Sequence, residues 1–311
     1  MSNIAIILPA YNEEMTIQGT IESFFNELPN AQIIVVNNNS QDRTAEIAAT
    51  TLHNLKINGT VLYEPRQGKG YATRKAFTEI DAEIYIMADA DQTYPANRVH
   101  DLIEPILSKE ADMVVGDRLS GGHYRKENKR NFHDFGNNLV KTLINKLFNA
   151  KLHDIMTGYR AFSRKFVKNY PILVDGFQIE TDLTLHALDK RFSIKEIQIE
   201  YKDRPHGSFS KLNTFADGFK VISRIINILR YYKPLLFFGM LTLFFGALGL
   251  LTAIPVIHDW IEYHYIYHVP SAVLAVAFEL LSAIFLSIGL ILDSVIKIHK
   301  LTYETTLINY K

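Results

Sequence analysis

Residues 235–257 carry no charged side chain, and this run limits what the chain can fold into more than any other feature. An uncharged run of this length crosses about 30 Å of hydrocarbon as an α-helix. A second apolar run, 271–292, has a similar length and contains one acid, Glu279. The two runs therefore predict two membrane-spanning helices, and the alternative is a buried helical hairpin in a soluble protein.

The residues that flank these spans predict their orientation. Lysine and arginine precede the first span and follow the second, whereas the connector HDWIEYHYIYHV has neither and is rich in aromatic residues. Basic residues favour the cytoplasmic side, and Trp and Tyr favour the membrane interface. We therefore expect a multi-pass protein of the cell membrane, with both termini and the amino-terminal domain in the cytoplasm.

Two further features concern the membrane region. An acid inside a span costs a few kcal/mol at the bilayer centre unless it is protonated or faces another helix. Glu279 therefore predicts a helix-packing or homo-oligomer contact, with a proton or ion pathway as the alternative. Residues 215–232 place apolar side chains at helical spacing with basic ones between them, which is typical of an interfacial helix and equally of a surface helix.

The amino-terminal two thirds of the chain alternates short apolar runs with amphipathic stretches. The runs NIAIILPA, AQIIVVNN, EIYIMADA and ADMVVGDR are strand-like, and SQDRTAEIAATTL and GKGYATRKAFTEI are helical in pattern. This alternation predicts an α/β domain with a mostly parallel sheet, whose ligands lie beyond the carboxyl ends of the strands. We expect a domain at 1–212, a juxtamembrane helix at 213–233 and a membrane domain at 234–311.

Composition restricts the chemistry. The 33 basic and 33 acidic residues balance, so net charge gives no reason to expect nucleic acid as a partner. Cysteine is absent, which excludes a disulfide scaffold, thiolate metal ligands and a cysteine nucleophile. A metal ion would need oxygen or histidine ligands.

Asp89 and Asp91 end the third strand-like run, separated by one alanine. Alternate side chains of an extended backbone point the same way, so both carboxylates can reach one divalent cation. Mg²⁺ and Mn²⁺ take one or two protein carboxylates and complete their shells with water and phosphate oxygens. The pair predicts a metal site for a diphosphate, and the alternative is two loop aspartates, one of which caps the next helix.

Gly68 and Gly70 flank Lys69 at the predicted start of a helix. Free N–H groups at a helix amino terminus, together with a lysine, suit an anion, and a flexible turn is the equal alternative. The segment is not a P-loop, because Tyr63 stands where the first glycine would be required.

Seven segments follow one another along the chain: LPAYNEE, VVNNNSQDRT, RQGKGYATRKAF, ADADQTYP, GDRL, DIMTGYRAFSR and YKDRPHGSFSKL. In this order they resemble the family 2 glycosyltransferases of the GT-A fold. The likeness is in particular to the polyprenyl-phosphate hexosyltransferases, which include dolichol-phosphate mannose synthases and bacterial undecaprenyl-phosphate glucosyltransferases. The two carboxy-terminal spans are also similar to those of bacterial members.

The resemblance implies an inverting enzyme that moves a hexose from a nucleotide diphosphate sugar to polyprenyl phosphate. We expect a UDP-sugar donor, undecaprenyl phosphate as acceptor, and use of the product in cell-envelope glycan modification. A phosphate acceptor is already ionised near neutral pH and needs no general base. The alternative is a non-catalytic membrane scaffold or flippase partner that retains the fold. A processive polysaccharide synthase is disfavoured, because the single tryptophan, Trp260, is not in a Q-x-x-R-W motif.

The resemblance also implies roles for individual residues. The residues expected to bind the nucleotide sugar are Pro9, Tyr11, Glu13, Asn38, Lys69 and Asp89, and those expected to bind metal are Asp89, Asp91 and Gln92. The residues expected to bind the acceptor phosphate are Arg118, Arg130, Arg204, Ser208 and Lys211, of which Arg118 and Arg204 join Asp89 and Asp91 as catalytic groups. Without the family, the 118–130 stretch would be interpreted as a solvated basic loop. Glu180 and Asp182 are kept as acceptor-side acids, with a structural role favoured.

The chain departs from the family pattern at two places. Members commonly have acidic residues where Asn37 and Asn38 stand, and an asparagine can both donate and accept hydrogen bonds. Relatives often place a metal-binding glutamine two positions after the second aspartate, whereas Gln92 is adjacent to it and Thr93 follows.

Overall fold

Two compact units make up the chain, Met1–Thr214 and Phe215–Lys311. The finer division into a catalytic domain, a juxtamembrane helix and a membrane domain stays a prediction. The structure is a computed structural model, and it describes residues 3–120, 131–171, 179–201 and 217–310.

Among its described residues the first unit is built on one mixed sheet of seven strands in the order β3-β2-β1-β4-β6-β5-β7. Neighbouring strands are parallel except where β6 pairs with β4 and with β5. The strands are β1 (Ile4–Ala10), β2 (Gln32–Asn37), β3 (Gly59–Tyr63), β4 (Ile84–Met87), β5 (Met113–Asp117), β6 (Arg160–Ser163) and β7 (Ile194–Gln198).

The central strands are buried along their whole length. In β2, every residue from Ile33 to Val36 is fully buried, because helices cover both faces of a mostly parallel sheet. Such strands consist of continuous β-branched runs, which is why the sequence predicted β1, β2, β4 and β5 correctly. The runs for β3, β6 and β7 are short or partly polar, and the sequence did not predict them.

Helices connect the strands and bury one side against the sheet. In α1 the buried residues Ile17, Thr20, Ile21 and Phe24 recur at the spacing of one helical face. The α-helices among the described residues of this unit are α1 (Ile17–Glu27), α2 (Thr44–Asn54), α3 (Lys69–Glu79), α4 (Val99–Leu107), α5 (Asn131–Phe148), α6 (Arg164–Lys168) and α7 (Ile179–Asp189).

The direction of β6 decides what meets at the ligand-binding edge of the sheet. Because β6 runs against its neighbours, its amino end lies beside the carboxyl ends of β4 and β5. The loop that leads into β6 therefore joins the loops that leave those strands. No pattern in the sequence indicated this reversal.

The second unit contains α8 (Asp217–Tyr232), α9 (Pro234–Tyr263) and α10 (Val269–Ile308). The last two are long and apolar enough to cross a membrane, and they pack against each other: the Ser282 hydroxyl donates to the Thr242 carbonyl at 3.0 Å. The predicted α/β domain followed by two long apolar helices is thus confirmed. The interfacial position of α8 stays a prediction.

Glu279 packs on the neighbouring helix. A Cβ added to Gly249 of α9 would lie 2.6 Å from the Glu279 carboxylate, so the absence of a side chain there makes room for it. Glu279 is nevertheless exposed on the second unit. The ion-pathway and oligomer-contact hypotheses both stay predictions.

Candidate active site

Asp89 and Asp91 follow β4, but they have different surroundings. The Asp91 side chain is buried and accepts hydrogen bonds from the Thr93 hydroxyl at 2.6 Å and the Thr93 N–H at 3.2 Å. The Asp89 side chain is 31% exposed, and its Oδ1 lies 2.5 Å from Nζ of Lys69. Asp89 is therefore the carboxylate that a ligand can approach.

Lys69 forms a buried bridge between two carboxylates. Its Nζ lies 2.5 Å from Asp89 Oδ1 and 2.5 Å from Glu180 Oε1, and only 9% of the lysine and of the Glu180 side chain is exposed. Burial lowers the pKa of Lys69, but Asp89 and Glu180 together outweigh this effect and hold the pKa above its ordinary value. Lys69 is therefore an ammonium ion at neutral pH.

Gly158 provides the space for this bridge. A Cβ placed on it would lie 2.7 Å from the Lys69 ammonium and 3.0 Å from each Asp89 carboxylate oxygen. The Gly158 N–H donates to the Tyr94 hydroxyl at 2.8 Å. Burial raises the pKa of Tyr94, an effect to which Asp89 adds, so this hydroxyl stays neutral.

Gly158→Ala is expected to separate the Lys69 ammonium from Asp89. The transfer activity that the sequence predicts should then fall about tenfold, because misplaced site groups slow an enzyme's reaction by one or more orders of magnitude. The measurement is the initial rate of transfer by the purified full chain. Gly239→Ala is the matched control, since nothing lies within 4 Å of an added Cβ there. A Gly158→Ala variant with wild-type rates would contradict this role of the glycine.

Arg118 follows β5 and is held rigidly. Its Nε lies 2.7 Å and its Nη2 3.1 Å from the two oxygens of Asp154, and its guanidinium lies 5.3 Å from the ring centre of Tyr201. Burial raises the pKa of Asp154, but Arg118 outweighs burial and lowers it overall. The Tyr201 ring also packs edge-on against Tyr94 with centroids 5.6 Å apart, which links Arg118 to the surroundings of Asp89.

The loops after β1 and β2 interlock. The N–H of Asn12 donates to the Ser40 hydroxyl at 3.1 Å, and the N–H of Glu13 donates to the Thr44 hydroxyl at 2.8 Å. The Glu13 carboxylate also accepts from the Thr16 hydroxyl at 3.1 Å. Glu13 thus lies in the loop after β1, and hydrogen bonds to the segment after β2 hold this loop in place. Pro9 and Tyr11, in and just after β1, are half-buried, and the expected nucleotide contacts of all three stay predictions.

Asn38 shapes the loop that carries Lys69. Its amide nitrogen donates to the carbonyls of Glu64 and Arg66 at 3.3 and 2.6 Å, and its oxygen accepts from the Gly68 N–H at 2.6 Å. These contacts need both a donor and an acceptor, which explains an asparagine at this position. A direct contact between Asn38 and the nucleotide stays a prediction.

Gln92 has a left-handed backbone, with φ of 60°. Its side-chain amide lies against the bare Cα of Gly19 in α1: an added Cβ there would lie 1.8 Å from the Gln92 nitrogen. The structure therefore gives Gln92 a packing role, and metal ligation by it stays a prediction.

The remaining predicted site residues lie outside the described part of the chain. They are Arg130, Arg204, Ser208 and Lys211.

Asp117, His153 and Glu196 form a second polar cluster that the sequence did not indicate. Their ligand atoms lie within 4.8 Å of one another, so they could hold a metal ion. Their oxygens already accept hydrogen bonds: Glu196 from the N–H groups of His153 and Asp154 at 2.8 and 2.9 Å, and Asp117 from the Leu119 N–H at 2.8 Å. The contacts of Glu196 fix the backbone at Asp154.

Sequence reasoning missed Asp154, Gly158 and Tyr201 as neighbours of the aspartates, and it favoured a structural role for Glu180. The segment DIMTGYR was recognised only as part of a resemblance. This segment lies in the site because of the direction of β6, and no local sequence pattern indicates that direction.

A family model described as "Glycosyl transferase family 2" matches residues 5–170. The structure is similar to glucosyl-3-phosphoglycerate synthase from Mycobacterium tuberculosis in complex with Mn²⁺ and UDP-Glc, with a TM-score of 0.54 and 22% identity over 73% of this chain and 78% of that one. This neighbour has the GT-A fold. The chain therefore belongs to glycosyl transferase family 2, and the predicted enzyme class, a glycosyltransferase, is confirmed.

Two curated relatives extend the match. Glycosyltransferase AglJ of Haloferax volcanii is 28% identical over 96% of this chain and 95% of its own length. Dolichyl-phosphate hexose transferase of the same organism is 26% identical over 73% of this chain and 93% of its own length. The resemblance to the polyprenyl-phosphate sugar transferases is thereby confirmed.

Proposed function

We propose that this protein transfers a hexose from a nucleotide diphosphate sugar to a polyprenyl phosphate by a single inverting displacement. The observation that carries the proposal is the position of Asp89, a partly exposed carboxylate at the carboxyl edge of the sheet, beside Lys69. Ligands of open α/β sheets bind beyond this edge. The name of the dolichyl-phosphate hexose transferase relative supports the choice of acceptor.

The residues at this edge fit a divalent cation. Asp89 offers a carboxylate oxygen that accepts no hydrogen bond from the described residues. Asp91, two positions further on, is buried and its Oδ1 accepts from Thr93, so Asp89 is the more accessible of the two ligands. Both are hard oxygen donors of the kind that Mg²⁺ and Mn²⁺ prefer. When bound, the cation supplies positive charge that stabilises the leaving diphosphate. The fold neighbour holds Mn²⁺ with UDP-Glc, which supports a UDP-sugar donor.

The displacement itself needs positioning more than proton transfer. An oxygen of the acceptor phosphate forms a bond to the anomeric carbon, while the bond from that carbon to the nucleoside diphosphate breaks and its electron pair leaves with the diphosphate. Arg118 is proposed to face the acceptor phosphate, because Asp154 and Tyr201 hold its guanidinium in one orientation. Arg130, Arg204, Ser208 and Lys211 are proposed to complete the phosphate site.

The membrane helices fit a lipid acceptor. Two helices that could span a bilayer follow the family 2 domain in the chain, and a polyprenyl phosphate has its phosphate at the membrane surface. We propose that the catalytic domain and both termini are cytoplasmic, that undecaprenyl phosphate is the acceptor, and that the lipid-linked sugar serves cell-envelope glycan modification. Lysine accessibility in sealed vesicles would test the orientation.

The test of function is transfer of radiolabel from a panel of UDP- and GDP-sugars to an organic-extractable polyprenyl phosphate, using the purified full chain with Mn²⁺ or Mg²⁺. The expected result is one labelled lipid product from one donor. If a folded, membrane-reconstituted protein labels no lipid from any donor, the proposal fails and the non-catalytic scaffold hypothesis takes its place.

Removal of divalent cations with a chelator is expected to lower transfer by about 100-fold, since a cation contributes several kcal/mol to charge stabilisation. Activity should return when Mn²⁺ or Mg²⁺ is added in excess of the chelator, and this restoration is the control for non-specific effects of the chelator. Undiminished transfer in the chelator would contradict a metal-dependent mechanism.

A further inference from the structure

The buried bridge at Asp89 is unusual for a metal site. Asp89, Asp91 and Glu180 bring three negative charges, and the Lys69 ammonium brings one positive charge next to the carboxylate that a cation should bind. An ammonium repels a divalent ion, and burying it costs several kcal/mol before pairing is counted. The lysine therefore needs an explanation within the site.

Helix stability does not explain it. Lys69 is the first residue of α3, where the helix dipole disfavours a positive charge. Glu180 lies in the first turn of α7, where a carboxylate is favoured. The amino terminus of α3 therefore disfavours the Lys69 charge, which must be stabilised by carboxylates. The amino terminus of α7 stabilises the charge of Glu180, one of those carboxylates.

We propose that Lys69 is the resident counter-ion of the Asp89 metal site, with Glu180 as its anchor. In the cation-free protein the ammonium neutralises Asp89 and keeps this carboxylate in place. With a divalent cation on Asp89, Glu180 would still hold the ammonium in the site. The inference rests on the proposed function only in taking Asp89 as a metal ligand.

Charge counting makes the inference testable. If each of the three carboxylates is counted as −1 and the Lys69 ammonium as +1, the four groups carry a net charge of −2. Lys69→Met makes this −3 and should tighten Mn²⁺ binding, whereas Glu180→Gln makes it −1 and should weaken it. One unit charge about 5 Å from a divalent ion changes the affinity by about tenfold even at high dielectric constant.

The experiment measures binding of Mn²⁺ alone to the purified full chain by loss of the free-ion electron paramagnetic resonance signal. The Asp89→Asn variant defines Mn²⁺ bound elsewhere, including at Asp117, His153 and Glu196. We expect opposite shifts of about tenfold for Lys69→Met and Glu180→Gln, and near wild-type affinity for the double variant and for Lys69→Arg. Lys75→Met and Glu79→Gln are the matched controls, because this pair on α3 is more exposed and lies 2.8 Å apart.

Three results would overturn the inference: shifts in the same direction, no shift, or no Mn²⁺ binding above the Asp89→Asn background. If Lys69→Met does not fold, Glu180→Gln must still weaken binding while Lys69→Arg does not. Lipid labelling is measured separately on the same preparations. If the wild type labels lipid but the opposite shifts are absent, the counter-ion role is rejected and the transferase proposal stands. If the opposite shifts are present but the wild type labels no lipid, the counter-ion role stands and the transferase proposal is rejected.

Discussion

Asp91→Asn is expected to lower sugar transfer by about 100-fold or more, the largest loss of activity that we expect from a single atom replacement in the described site. The substitution removes one negative charge beside Asp89. It keeps an oxygen that can accept the hydrogen bonds from the Thr93 hydroxyl and N–H. The loss should therefore come from the site and not from the fold.

Initial rates of lipid labelling at saturating donor and Mn²⁺ measure this effect. Asp101→Asn is the matched control, since Asp101 is a partly exposed aspartate on α4 that pairs with Arg98. Thermal unfolding of the Asp91→Asn protein should stay within about 3 °C of the wild type, as for other replacements that keep their hydrogen bonds. A variant with wild-type rates would show that Asp91 is not part of the catalytic machinery.

Arg160→Met is expected to destabilise the first unit by about 3–5 kcal/mol, the largest stability effect that we predict. Arg160 is fully buried, and it donates to the carbonyls of Thr157 and Ile155 at 3.0 and 2.8 Å and to the Thr184 hydroxyl at 3.0 Å. Methionine fills a similar volume but leaves both carbonyls buried without a donor. The loop that carries Asp154 and Gly158 should then lose its conformation, and sugar transfer should fall with it.

The measurement must report on the first unit. The only tryptophan, Trp260, lies in the second, so hydrogen exchange of peptides that cover 154–163 is preferable to tryptophan fluorescence. Faster exchange there and a melting temperature about 10 °C lower are expected. Arg74→Met, at an exposed position of α3, should change neither. Wild-type exchange in Arg160→Met would show that the loop does not depend on this arginine.

The fold of this protein was largely accessible from its sequence. The apolar helices could be predicted because hydropathy over about 20 residues is a property of local composition. The central strands β1, β2 and β4 could be predicted because burial on both faces demands continuous β-branched runs. The family resemblance likewise depended on ordered motifs along the chain, each short enough to be read without a structure.

The sequence could also place Asp89 and Lys69 at the same edge of the sheet. Asp89 follows a strand and Lys69 begins a helix, and both positions lie beyond the carboxyl ends of the strands. The sequence could not predict that these two side chains touch. Nor could it predict that Glu180, 111 residues after Lys69, binds the same ammonium. It could not predict that Asn38 fixes the conformation of the loop before Lys69, since this role depends on which backbone groups lie next to the Asn38 amide.

The sequence by itself determined the α/β alternation, the aspartate pair and the apolar helices, since each of these features depends on residues that are close together in the chain. Only the tertiary structure decided that β6 enters the sheet antiparallel, between β4 and β5. That choice brings Gly158 against Asp89 and Asp154 against Arg118. Strand order and direction are set by packing between distant segments, and such packing leaves no periodic signal in the sequence.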